Sequence, residues 1–314
     1  MPSPASRIVI LGTGGTIAGQ AARADDAVGY TAGALGVQVL IDAVPPLQAV
    51  DLEAEQVAQL DSKDMDAATW QRLAQRAAHH LARPEVQGVV VTHGTDTLEE
   101  TAWFLHRVLA PAKPLVLTAA MRPASALSAD GPLNLLDAVT VARHPGAAGV
   151  LAVLAGRVQA AADLRKRHAT RLDAFAGGDV GPVALVEDGR LRVLRAWPRG
   201  EPAGLQAIAR DPAAWPWVAV LANHAGADGR EVRALLNAGV RGLVVAGTGN
   251  GSLSAPLEAA LVEAVSDAGV PVVRCSRCAD GAVIDPPGAA LPSAGERSPW
   301  QARVDLLLDL LVQP

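Results

Sequence analysis

Two threonine-bearing turns carry the chemistry this chain offers. The first is ILGTGGTIAG at residues 10–19, where an apolar run breaks into glycines and leaves Thr13 and Thr16 at its end. The second is GVVVTHGTDTLEETAW at residues 88–103, which repeats the layout of apolar run, polar turn and helix start, and adds His93, Thr95 and Asp96. A threonine hydroxyl becomes a nucleophile when a base takes its proton, and an ionised aspartate beside it binds a cation or orients a lysine. The same residues also suit humbler roles. Glycines at a strand end permit close helix packing, Asp96 or Thr97 can cap a helix, and His93 at a strand end fits a structural histidine.

A glycine-rich turn after a strand also resembles a phosphate cradle, but the details do not fit one. In the dinucleotide pattern G-x-G-x-x-G, Gly12 and Gly14 fill the first two places and Ile17 falls on the third. A P-loop needs Gly-Lys-Ser/Thr, and the first lysine of the chain is Lys63.

The elements that must position these turns form an α/β pattern. Short β-branched runs lie at 7–11, 88–92, 114–118, 149–154, 217–222, 242–247 and 271–274, separated by helical patterns, which predicts parallel sheets flanked by helices. Thr97 followed by Glu100 reads as a capping box, and Asp130-Gly-Pro reads as a cap with proline in the first turn. Between 196 and 214 the alternation fades into a stretch rich in Pro, Gly and Ala, expected to be a linker. The expected organisation is a larger N-terminal α/β domain over 1–195 and a smaller C-terminal one over 215–314.

Composition narrows the class. With 314 residues, 50% of them hydrophobic and only 3% aromatic, the core must be built from Ala, Val and Leu. A net charge of −5 without a long basic run, together with few aromatics, argues against a nucleic-acid partner. No secretory apolar segment and no uninterrupted apolar stretch of ~18 residues stands in the sequence, so no membrane partner and a cytoplasmic location are expected. Cys275 and Cys278 form C-x-x-C without two further nearby zinc ligands, and are expected to be reduced and structural.

The motifs ILGTGGTIAG and VVVTHGTDTLEETAWFL resemble the two signatures of the bacterial-type L-asparaginase/glutaminase family, the threonine amidohydrolases. GYTAG, LDSKDM, LTAAMRPASALSADGPLNLLDAV, DLRKRHATRLDAF and GTGNGSL extend the resemblance along nearly the whole chain. The resemblance implies roles. Thr16 matches the nucleophile, and Tyr30, the only tyrosine, matches the tyrosine of a mobile lid. Thr95, Asp96 and Lys166 match a Thr-Lys-Asp cluster, and Ser62 matches the residue that binds the substrate α-carboxylate. Asp96 also holds the α-ammonium. Ala120 falls where backbone contributes to the oxyanion environment, and Asn250 matches a residue donated by a neighbouring subunit. The implied reaction is hydrolysis of L-asparagine, with L-glutamine as the runner-up substrate, without metal or organic cofactor, in a homodimer or homotetramer. A noncatalytic amino-acid-binding protein on the same fold and an NAD-dependent enzyme are the competing classes.

Two features bear on the chemistry independently. Only three lysines occur among 27 basic side chains, and Lys166 stands directly between Arg165 and Arg167. An arginine cannot act as a base, whereas a lysine can from its neutral form, which burial favours and a carboxylate such as Asp96 opposes. The departure from the family is Lys63, which falls where secreted relatives carry Gln or Glu next to the substrate ammonium. A cation there weakens ammonium recognition unless it points away or pairs with Asp64. Asp285 is the nearest candidate for the acidic residue that some relatives donate across the interface.

Overall fold

A computed structural model of the protein describes residues 7–26 and 29–313. The chain divides into two compact units after Leu205. In the first, the strands are β1 (Arg7–Gly14), β2 (Gln20–Ala21), β3 (Tyr30–Thr31), β4 (Leu52–Leu60), β5 (Val86–Thr92), β6 (Pro114–Thr118), β7 (Gly149–Leu154), β8 (Arg157–Ala160), β9 (Arg165–Lys166), β10 (Phe175–Ala176), β11 (Ala184–Glu187) and β12 (Arg190–Val193). Its helices are α1 (Val37–Asp42), α2 (Ala67–Ala82), α3 (Leu98–Leu109) and α4 (Gly131–Ala142). Eight strands form one sheet in the order β12-β11-β8-β7-β6-β5-β1-β4. It is parallel from β4 through β7 and antiparallel from β7 to β12.

The central strands β5, β6 and β7 are covered on both faces, which is why they read as unbroken runs of Val and Leu instead of alternating. Edge strand β4, Leu-Glu-Ala-Glu-Gln-Val-Ala-Gln-Leu, lacks that signature and is absent from the sequence-based strands. Its Glu53 and Glu55 are instead matched to Arg83 and Arg76 of the α2 segment at 2.8 and 2.6 Å. The order matters for function. β1 lies between β4, reached from its own C-terminal end, and β5, whose chain departs the other way toward β6. The crevice at the carboxyl ends of β1 and β5 is therefore the switch point at which ligands bind in open α/β sheets.

Both expected caps turn out differently. Thr97 stands at the N-cap of α3 without a side-chain cap bond, because its hydroxyl donates to the Ser62 carbonyl at 2.8 Å. Asp130 precedes Gly131 and Pro132 as expected, but its carboxylate accepts the N–H groups of Met121 and Arg122, both at 2.9 Å. Each side chain that could have capped its own helix is spent on tying in a neighbouring loop at the rim of the sheet.

α4 also buries Asp137, and burial alone pushes its carboxyl up to about 6 from an ordinary 3.8. Between those values the folded protein keeps a proton that the unfolded chain has released, so this group's contribution falls as pH rises. Asp137→Asn is expected to stabilise the protein by about 1–3 kcal/mol at pH 8, and the gain should vanish below pH ~4. Denaturant titrations of both proteins at the two pH values check it. An equal effect at both would show that ionisation is not the cause.

The second unit is a three-stranded parallel sheet, β13 (Val218–Ala222), β14 (Gly242–Gly247) and β15 (Val272–Ser276), in that order. Its helices are α5 (Arg230–Asn237), α6 (Ala255–Ser266) and α7 (Pro299–Val312). α7 opens on a complete capping box between Ser298 and Gln301. Cys275 is buried on β15, where burial pushes its thiol up to about 12, and Cys278 is exposed; both are unpaired. Among the described residues no helix is long and apolar enough to cross a membrane.

Candidate active site

The two threonine turns meet at the switch point through a pair of glycines. Gly15 has φ 80°, and a Cβ on it would fall inside van der Waals contact with Gly94 Cα. A Cβ on Gly94 would in turn strike the Ser62 side chain. No other residue fits this backbone approach, because the conformation disfavours a side chain and the space excludes one. Thr16 follows Gly15 and Thr95 follows Gly94, so the close approach of the glycines brings the two hydroxyl-bearing residues to one crevice. Thr13 is not part of it: its hydroxyl donates to the Thr92 carbonyl at 2.9 Å and fastens β1 to β5.

Thr16 is nearly buried in the 3-10 turn Thr16–Ala18, and its Oγ1 lies 2.6 Å from the Tyr30 hydroxyl. Tyr30 comes from β3, which pairs with β2 as a small hairpin. Its ring passes so close to Gly19 that a Cβ there would touch it. The loop after β6 brackets this hairpin: Ala124 N–H donates to Gly19 O at 2.9 Å, Leu127 N–H to Ala24 O at 3.1 Å, and Ser125 Oγ accepts the Ala21 N–H at 2.8 Å. Ser125 carries no signal in the sequence. Nothing in its type or spacing signals a bond to a segment a hundred residues earlier.

The second cluster is equally definite. Lys166 Nζ donates to Thr95 Oγ1 at 2.9 Å and to Asp96 Oδ1 at 2.6 Å. The lysine side chain is 19% exposed and that of Asp96 54%, so the pair opens to solvent on the aspartate side. Ser62 Oγ accepts the Asp96 N–H at 3.1 Å. The Ser62 hydroxyl proton and Asp96 Oδ2 take part in none of these bonds, leaving a neutral donor and a negative acceptor side by side. That combination suits a zwitterionic amino acid. Glu99 is likewise hidden in the sequence, because its neighbour Glu100 is the one that fits the capping pattern. The buried carboxylate is that of Glu99, and its Oε2 accepts the main-chain N–H of Lys166 at 2.7 Å.

His93 is fully buried. Its Nδ1 bonds the Gly94 carbonyl at 2.7 Å, and burial holds its pKa down to about 4, so the ring is neutral at physiological pH. Bonding to a carbonyl assigns the ring proton to Nδ1. Ala120 is buried two residues beyond β6, whose last carbonyl, Thr118 O, accepts the His93 N–H at 2.8 Å. Lys63 turns its ammonium to Asp64, with Asp61 at 3.7 Å, and remains 61% exposed. Asn250 lies in the second unit on the turn after β14. Its carboxamide is engaged at both ends by the main chain of Ile284, at 2.9 and 2.8 Å. Asp285 beside it is held by Arg274 and by the Ser293 hydroxyl.

Residues 7–199 match the family model described as "Asparaginase, N-terminal", and residues 217–311 match "Glutaminase/Asparaginase C-terminal domain". L-asparaginase 2 of Bacillus subtilis (strain 168) is 37% identical over 312 residues, covering 96% of this chain and 82% of that protein. A glutaminase-asparaginase of Pseudomonas fluorescens biotype A is 36% identical, covering 89% of this chain and 77% of that protein. Among solved structures, a crystal structure of a probable cytoplasmic L-asparaginase from Campylobacter jejuni superposes with a TM-score of 0.90 at 37% identity, covering 98% of this chain and 96% of that one.

Proposed function

The chain belongs to the asparaginase family, and from that premise we propose that it hydrolyses the side-chain amide of L-asparagine to L-aspartate and ammonia. The observation that carries the reading is the close approach of Gly15 and Gly94 at one switch point, which places side by side two turns whose threonine hydroxyls are bonded, one to Tyr30 and the other to Lys166.

In the proposed sequence, Ser62 donates to the substrate α-carboxylate and Asp96 accepts from its α-ammonium. The amide carbon then lies before Thr16. The Thr16 oxygen forms a bond to that carbon as its proton passes into the Tyr30 hydroxyl, which releases its own proton onward to the amide nitrogen, and the C–N bond breaks as the nitrogen so protonated leaves as ammonia. Water then attacks the ester and restores the Thr16 hydroxyl. Thr95 and Lys166 supply the proton relay beside this centre, and main-chain N–H groups, with Ala120 at the rim, face the oxyanion. The reading carries a homodimer or homotetramer in which Asn250 faces a neighbour's site, and a cytoplasmic location.

Steady-state kinetics of ammonia release from L-asparagine and L-glutamine test the proposal. A larger kcat/KM for asparagine is the expected result, and no release from either would overturn it. A family description that joins glutaminase to asparaginase keeps glutamine as the second reading. Because Lys63 is turned to two carboxylates in solvent, Lys63→Gln is expected to change kcat/KM for asparagine by less than about threefold, the scale of exposed ion pairs. A tenfold gain in affinity would instead place that ammonium against the substrate.

A further inference from the structure

Lys166 belongs to β9, a two-residue strand whose ladder to β10 consists of Lys166 with Phe175 and Arg165 with Ala176. A hairpin that short gives little to fix a long side chain. The lysine nevertheless reaches both Thr95 and Asp96 at hydrogen-bond distance. A second grip accounts for this. Glu99 stands in the first turn of α3, three residues beyond Asp96, and its Oε2 takes the Lys166 main-chain N–H at 2.7 Å. The segment 95–99 therefore holds Lys166 at both ends, its head by Thr95 and Asp96 and its backbone by Glu99.

Glu99 is only 7% exposed, and burial pushes its carboxyl up while the Lys166 N–H and the charges of Arg165 and Lys166 pull it back. A carboxylate buried against its own charge is costly unless the bond it makes is needed. The acceptor must also extend across from the helix to another strand, and a glutamate-length side chain spans that gap.

We infer that Glu99 is a positioning residue for Lys166: through the lysine's main-chain N–H it sets where the ammonium lies relative to Thr95 and Asp96, and it acts by reach, not by charge. The activity arm of the test rests on the proposed amide hydrolysis, and the structural arm does not. Glu99→Gln keeps an acceptor oxygen at the same reach and drops the charge, whereas Glu99→Asp keeps the charge and withdraws the oxygen by one methylene. The charge-conserving variant should therefore be the damaged one. For L-asparagine, Glu99→Gln is expected to keep kcat within about threefold, and Glu99→Asp to lose on the order of 10²-fold in kcat with little change in KM, the scale of a misplaced catalytic group.

Selective ¹⁵N-lysine labelling gives the structural arm, because the chain has only Lys63, Lys113 and Lys166. Hydrogen exchange at the Lys166 amide should be as slow in Glu99→Gln as in wild type and at least about tenfold faster in Glu99→Asp, with the other two amides unmoved. Wild-type kcat in Glu99→Asp, or a loss in Glu99→Gln as deep as in Glu99→Asp, overturns the inference. If the wild type releases no ammonia, the functional reading fails by itself and the exchange pattern decides alone. Unchanged Lys166 exchange in Glu99→Asp then overturns the positioning role.

Discussion

Alanine in place of Thr16 is expected to cut ammonia release from L-asparagine by at least ~10³-fold, the scale lost when the nucleophile of a covalent mechanism is removed. Unfolding free energy should stay within about 1–2 kcal/mol of wild type, since the substitution removes one side-chain hydrogen bond, that to Tyr30. Thr95→Ala should also be slow, so rate alone does not separate the two threonines. Trapping does. In Thr95→Ala the Thr16 oxygen and its Tyr30 partner remain, and an acyl adduct should accumulate on the peptide carrying Thr16 when the protein is quenched with substrate and mapped by mass. In Thr16→Ala no adduct should form. Finding it on Thr95 instead would transfer the nucleophile to the other turn and make Thr16 the relay.

The sequence made the two threonines visible but not what brings them together. Both signature turns follow apolar strands, and residues 7–11 and 88–92 alone announce β1 and β5. That these strands are neighbours follows from β4 lying on the far side of β1, and β4 is the strand that the residue pattern hides. Its alternation of Glu, Gln and Ala with a few apolar residues has no strand signature, because arginines of the α2 segment satisfy its charges across a long sequence separation. The antiparallel extension β8, β11 and β12 is hidden for a related reason, each strand being four residues long.

The same contrast holds within the site. Thr16, Thr95, Asp96 and Lys166 could be marked because the family resemblance falls on their motifs, and for Lys166 also because a lysine stands alone between two arginines. Glu99 and Ser125 could not, because their roles consist of bonds to the backbone of Lys166 and Ala21, and backbone partners leave no trace in residue type. Thr97 and Asp130 show the converse. Local pattern assigned them to their own helix starts, and tertiary partners at Ser62, Met121 and Arg122 outcompeted the caps. Polar side chains at the rim of a switch point serve loop assembly before helix capping, since each loop there must be fixed relative to another strand's loop.

Lys166 gives the second large effect, and the choice of replacement decides what the lysine does. Lys166→Met should lower kcat for asparagine by ~10²–10⁴-fold, the range for a group that moves a proton in the transition state. Lys166→Arg is the sharper variant. Arginine keeps a permanent positive charge able to pair with Asp96, but it does not give up its proton and so cannot accept one from Thr95. If the lysine served only to hold Asp96 and to place positive charge near the reacting amide, arginine would restore much of the activity. The expected result is that it does not, and that Lys166→Arg falls within about tenfold of Lys166→Met. The sequence context favours this outcome: in a chain where 24 of 27 basic side chains are arginine, the residue between Arg165 and Arg167 is a lysine, and its Nζ stands 2.9 Å from a threonine hydroxyl. Near-wild-type turnover in Lys166→Arg would remove the proton-relay role and leave an electrostatic one. The Thr95 hydroxyl would then need another proton acceptor, and the neutral ring of His93, two residues earlier in the chain, would be the first to replace.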